Sequence, residues 1–131
     1  MPLIRPAALA AVEYAYAATV APGTRLVFAA GACPLDAGGA VVALGDVPAQ
    51  AAQVLDNLVT ALAAAGATLT DVVKTTVYVA SADRADLVAA WRVVRDRFGG
   101  HHPPSTLLGV TVLGYPGQLV EVEATAAVVT R

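Results

Sequence analysis

GDVPAQAAQVLDNLVTALAAAG, residues 45–66, and DVVKTTVYVA, residues 71–80, decide the fold between them. In the first, Asp46 is placed to cap and Pro48 suits a first helical turn, while Ala51, Leu55, Leu58, Leu62 and Ala65 recur every three or four positions before Gly66. That period gathers them on one face of an amphipathic helix, and the glycine ends it. The second segment alternates and is rich in β-branched residues, so it predicts a strand. A helix with a single apolar face, followed at once by a strand, packs that face on a sheet.

Working outward, TRLVFAAG (24–31) reads as an earlier strand, and DAGG (36–39) supplies turn residues before AVVAL (40–44), which predicts a hairpin. SADRADLVAAWRVVRDRFGG (81–100) reads as a second helix, with Ser81 or Asp83 as cap, an apolar stripe of Leu87, Trp91, Val94 and Phe98, and Gly99 as stop. Two further strands, about 106–113 and 118–129, are joined by LGYPGQ, whose Pro116-Gly117 pair signals a turn. The order strand, helix, strand, helix, strand, strand predicts an α+β fold with two helices on one face of a mixed sheet. The other sheet face is expected to be apolar and covered by partner subunits.

With 131 residues, the chain has the size of one domain, 1–131. Its 57% hydrophobic content comes mostly from Ala, Val and Leu, which suggests a homo-oligomer hiding apolar surface. No apolar run reaches the roughly 18 residues that span a bilayer, and MPLIRPAALAAVEYAYAA with its early Pro and Glu13 is a poor export signal. A cytoplasmic protein without membrane contact is expected. Eight basic against ten acidic residues, with no basic run, give nucleic acid no electrostatic footprint. Cys33 is alone, so it forms no internal disulfide or cysteine zinc site and reads as a small buried hydrophobe.

Candidate chemistry is sparse. Glu121 and Glu123 share one face of their strand, opposite Val120 and Val122, either solvated or lining an interface where one can orient water. His101 and His102 lack the further ligands of a metal site and read as surface loop, while Pro103 and Pro104 hold Ser105 and Thr106 in extended backbone. Those two hydroxyls either bond locally or bind a polar ligand. No nucleophile elbow surrounds Ser105 and no phosphate-binding glycine pattern occurs. Tyr14, Tyr16, Tyr78 and Tyr115 read as packing anchors, and Trp91 as core.

LVFAAGACPLD, the run from AQAAQVLDNL to KTTVYVAS, HHPPSTLLGV and LVEVEATAAV together resemble the YjgF/RidA family, the reactive intermediate deaminases, over nearly the whole chain. That resemblance implies a chorismate-mutase-like α+β fold assembled as a homotrimer with three small-molecule clefts between subunits. It also implies hydrolysis of 2-imino or enamine acids to 2-keto acids and ammonia without metal or cofactor. By family position Tyr16, Gly31 and Glu121 are retained, with Glu121 orienting water. Ala30 stands where the family has serine, Trp91 where it usually has asparagine, and Leu107 where it commonly has cysteine.

The family's substrate-binding arginine lies in P-x-R-[ST], and here Pro103-Pro104-Ser105-Thr106 puts Ser105 in its place. An arginine fork grips a carboxylate through two charge-assisted bonds, whereas a serine offers one neutral bond. Arg92 and Arg25 are the candidates to replace it, and the Trp91 wall favours a flatter, less anionic ligand. The expected function is therefore hydrolysis of a different imine, enamine or labile metabolite. Glu121 acts on water, Tyr16, Trp91, Ser105 and Thr106 hold the substrate, and backbone N–H groups near Gly31 and Leu107 stabilise charge. The alternatives are a noncatalytic small-molecule binder and a structural or protein-interaction trimer.

Overall fold

The computed structural model describes residues 3–129. Strands β1 (Leu3–Ile4) and β2 (Ala17–Ala18) form a small antiparallel pair. The main sheet contains β3 (Arg25–Phe28), β4 (Val72–Val79), β5 (Ser105–Gly109) and β6 (Val120–Val128) in the order β3-β6-β4-β5. Pairing is antiparallel except between β4 and β5, which run parallel because helix α2 (Arg84–Phe98) connects them as a crossover. Helix α1 (Val47–Ala64) precedes β4. The architecture is a mixed sheet with two helices on one face, and among the described residues no helix is long and apolar enough to cross a membrane.

Local chemistry sets the ends of α1. Asp46 is extended and its Oδ1 accepts from Ala49 N at 3.0 Å, Pro48 lies in the first turn, and Gly66 takes the left-handed φ of 80° that ends the helix. An Asp46→Ala variant should lose about 1 kcal/mol of stability, read as a lower urea midpoint at unchanged slope. Val54, Leu55, Leu58 and Leu62 are fully buried against Val72, Val77, Val79, Val120 and Val122. These alternate strand residues point at the helices, so their neighbours Lys74, Thr76, Tyr78, Glu121 and Glu123 point the other way.

Several expectations change. The uncovered sheet face is not mainly apolar: β3 exposes Leu26 and Phe28 on it, but the central strands present Lys74, Thr76, Tyr78, Glu121, Glu123 and Thr125. The hairpin of 24–31 with 40–44 does not form, since β3 pairs with β6 and the later stretch contributes only a Leu35–Val41 bridge. Positive φ at Ala43 and Gly45 breaks the extended run there, although the Asp36 carboxylate does close the expected turn on the Gly38 and Ala40 amides. The strand drawn at 106–113 is β5 alone, starting one residue earlier and ending at Gly109, after which Val110 N makes a last bond to Val79 O at 2.8 Å. In α2 the cap is Asp83, and the buried positions are Ala90, Val94 and Phe98; Trp91 lies on the flank of that stripe, half-buried.

Candidate functional site

The loop HHPPSTLLGV enters β5 as an edge strand. His101 Nε2 lies 2.7 Å from Val72 O with its ring stacked on Phe98, the His102 carbonyl accepts from Ala15 N, and Pro104 O accepts from Thr75 N. The His101 ring and the His102 main chain thus help to hold the loop. No group of three or more His, Cys, Asp or Glu among the described residues is arranged to hold a metal. In β5, Ser105 and Leu107 pair with Thr75 and Val77 and so lie on the helix side, and Ser105 Oγ accepts from Thr75 Oγ1 at 2.7 Å. Thr106 faces the other side, where Lys74 Nζ donates to its hydroxyl at 2.9 Å.

Backbone groups of alternate residues point to opposite edges of a strand. Pro104 O and Val110 N face β4, so the N–H and C=O of Ser105 and Leu107 point along the free edge of the sheet. Beside that edge is a cavity of about 420 Å³ lined by Tyr14, Trp91, Ser105, Thr106 and Leu107. Tyr14 and Trp91 meet edge to face, with centroids 6.2 Å apart and planes at 88°. Tyr16 does not line the cavity within one chain: its ring stands beside that of Tyr14, centroids 6.0 Å apart, and its hydroxyl donates to Ala10 O at 2.8 Å. The tyrosine at the cavity is Tyr14.

Among the described residues no cation lines this cavity. Arg25 donates to Ala65 O at the far end of α1, and Arg92 is exposed on α2 outside the lining. Arg95 comes nearer, lining a narrow crevice with Trp91 and Ser105, but Glu13 takes its Nη1 at 2.6 Å and Asp96 its Nε at 2.9 Å. The same pair draws the Glu13 carboxyl below its ordinary range, chiefly through the hydrogen bond from Arg95. Its position one residue before Tyr14 ties the aromatic wall to α2.

Glu121 occupies a second cluster on the opposite side of the sheet. Gln118 Nε2 donates to its Oε1 at 3.1 Å and to Val120 O at 3.1 Å, and Cys33 Sγ donates to the same Oε1 at 3.3 Å. Gln118 is 3% exposed and its own Oε1 accepts from Tyr115 N, so the amide is fixed at both ends. Gly31 packs against the other carboxylate oxygen, where a Cβ would collide with Glu121; the glycine is required by that close approach. Within one chain the Glu121 side chain lies on the open face and those of Ser105 and Leu107 on the helix side, with β4 between their strands; the cavity reaches the open face only at Thr106.

Cys33 is half-buried rather than a buried hydrophobe, and its thiol takes part in the cluster. Burial first, and then the bond to the Glu121 carboxylate, push its pKa up to about 11 from 9.0. At pH 8 its thiolate fraction is about 100-fold below that of a free thiol, so iodoacetamide should label this single cysteine correspondingly slowly. Glu121→Gln removes the negative partner and should speed labelling, as followed by mass spectrometry.

Sequence reading alone missed three of these participants. Tyr14 and Tyr16 sit two positions apart with similar flanks, and only the fold separates them. Gln118 was hidden in a segment whose Pro-Gly pair signals merely a turn, and Lys74 in a strand.

The family model described as endoribonuclease L-PSP, Ribonuc_L-PSP, matches residues 5–128. Among solved structures, YyfB of Yersinia pestis, a Rid-family protein of unknown function, is 33% identical with a TM-score of 0.90, covering 97% of this chain and 98% of that one. Escherichia coli TdcF, solved with bound serine, is 28% identical with a TM-score of 0.69, covering 89% of this chain and 95% of that one. The RutC family protein PH0854 of Pyrococcus horikoshii is 36% identical over 99 residues, 76% of each chain.

Proposed function

Because the chain belongs to the YjgF/RidA (Ribonuc_L-PSP) family, we propose that it assembles as a homotrimer and, between subunits, hydrolyses a neutral or weakly acidic imine or enamine instead of a 2-imino acid. Deaminase-like chemistry on reactive intermediates is the family-level reading. The observation that carries the finer one is the pairing of an anchored carboxylate, Glu121, with a cavity at Ser105 that no cation among the described residues lines. Glu121 on the open face of β6 and Ser105 on the helix side of β5 have β4 between them, so a neighbouring copy is needed to bring them together. A C3 arrangement repeats such a heterologous contact three times and closes.

In this reading Gln118 and Cys33 hold Oε1 of Glu121, which leaves Oε2 to take a proton from water. The oxygen adds to the imine carbon and the nitrogen receives a proton. Breakdown of the resulting carbinolamine then breaks the C–N bond and gives a carbonyl compound and ammonia. The edge N–H of Leu107 and the Ser105 hydroxyl serve the polar end of the substrate. No step calls for a metal or organic cofactor.

TdcF was solved with serine, which carries a carboxylate. Such a group needs a charge-assisted partner, and one neutral serine hydroxyl in place of an arginine fork forgoes on the order of 2–3 kcal/mol. Endoribonuclease activity is not carried over, since the net charge is -2 and no basic run is available to phosphates.

The test compares freshly generated 2-iminopropanoate with 2-iminopropanamide, its neutral amide, against their spontaneous hydrolysis. Faster hydrolysis of the amide is expected; preference for the anion contradicts the reading. A cavity that binds ligand saturably with no acceleration of either compound favours the alternative, a noncatalytic small-molecule binder, for which the two aromatic walls already suffice.

A further inference from the structure

We infer that the cavity beside β5 selects substrates carrying an uncharged aromatic group directly conjugated to the reacting C=N. This deepens the proposed function and rests on it for the reaction, though not for the binding preference. The first ground is shape: Tyr14 and Trp91 form a corner with planes at 88°, and Leu107 closes it with an apolar surface. An aromatic ring has a negative face and a positive edge, so a guest ring can stack on one wall while presenting its edge to the other. A saturated ring of equal size gains only dispersion there. The volume, about 420 Å³, is that of a small-molecule pocket.

The second ground is polarity. Ser105 Oγ already accepts from Thr75, so its own O–H is left to donate, and the outward N–H of Leu107 is a second neutral donor. Both suit the acceptor end of a planar conjugated group. The Arg95 guanidinium, in the adjoining crevice, is taken by Glu13 and Asp96, that of Arg5 donates to the Val12 and Tyr14 carbonyls, and Lys74 donates to Thr106 from the other side of the sheet. An anionic guest on the helix side would meet only neutral donors, with the Lys74 ammonium held behind Thr106 on the opposite face.

Trp91 is the chain's sole tryptophan, so its emission reports directly on this corner. The probes are benzamide, cyclohexanecarboxamide and benzoate, which separate aromaticity from size and charge. Benzamide should quench Trp91 saturably and bind about tenfold more tightly than either comparison compound. Calorimetry with Trp91→Phe should preserve most of that preference and with Trp91→Leu abolish it, a contrast that loss of folding would not produce.

Equal affinity for the two amides, tighter binding of benzoate, or no saturable benzamide binding up to 10 mM would overturn the inference. The hydrolase reading fails by a different result. Selective benzamide binding without Glu121-dependent imine turnover would sink catalysis and leave aromatic selection standing. Turnover of aliphatic neutral imines with equal affinity for both amides would do the reverse.

Discussion

Glu121→Gln should lower the hydrolysis of a neutral imine by about 10²- to 10⁴-fold, the usual contribution of a positioned general base. The substitution keeps size and shape while removing the basic oxygen. Because Glu121 is held through Oε1 by Gln118 and Cys33 and packs on Gly31, its loss acts on chemistry more than on the core. Urea unfolding should therefore shift by less than about 1 kcal/mol while kcat collapses, with KM little changed. A Glu121→Gln protein hydrolysing the imine at the native rate would remove this carboxylate from the mechanism. Initial rates of ammonia release, corrected for the spontaneous reaction, make the comparison.

The second large effect runs in the direction of gain. Ser105→Arg restores the family's P-x-R-[ST] pattern in a cavity that no cation among the described residues lines, and should raise kcat/KM for 2-iminopropanoate by about ten- to hundredfold. The same change should depress turnover of the neutral amide, because an unpaired guanidinium is then desolvated against its substrate. Ser105 gives up only its bond with Thr75, whose hydroxyl is left without that acceptor, so a modest stability loss of about 1 kcal/mol should accompany the switch. An unchanged ratio of the two rates would show that position 105 does not set charge preference.

The sheet, the two helices and their order were legible because periodicity is a local signal. Leu55, Leu58 and Leu62 recur at helical spacing, and β4 and β6 alternate buried with open-face residues along most of their length. The failures share a cause as well: they depend on groups distant in sequence. AVVAL has strand-forming residues, yet backbone at Ala43 and Gly45 turns it away, and β3 finds its partner a hundred residues later in β6.

The candidate site divides in the same way. Family position drew attention to Glu121 and Gly31, and the fold brings that carboxylate against that glycine. It also gathers Trp91, Ser105, Thr106 and Leu107 round one cavity. Tyr16 stands behind Tyr14 and not in the lining of this cavity, because Tyr16 N bonds Ile4 O in the small β1–β2 pair while its hydroxyl turns to Ala10. The roles of Gln118 and Cys33 follow from hydrogen bonds, which no spacing announces. The place of Arg25 is equally nonlocal, since within one chain it donates to Ala65 O at the end of α1.

The most direct measurement of the central claim is complementation between subunits. Glu121→Gln spoils one half of the proposed cleft, and Ser105→Phe, by filling the cavity, spoils the other. Each variant alone should form an inactive trimer. Trimers randomly assembled from equal amounts of both retain both native halves in about a quarter of their clefts, because neighbouring copies supply the two halves. Recovery of roughly that share of native neutral-imine hydrolysis, in particles confirmed by mass to contain three chains, is the predicted result. Mixed trimers with no recovered activity, or native protein that hydrolyses the imine as a monomer, would contradict a cleft built between subunits.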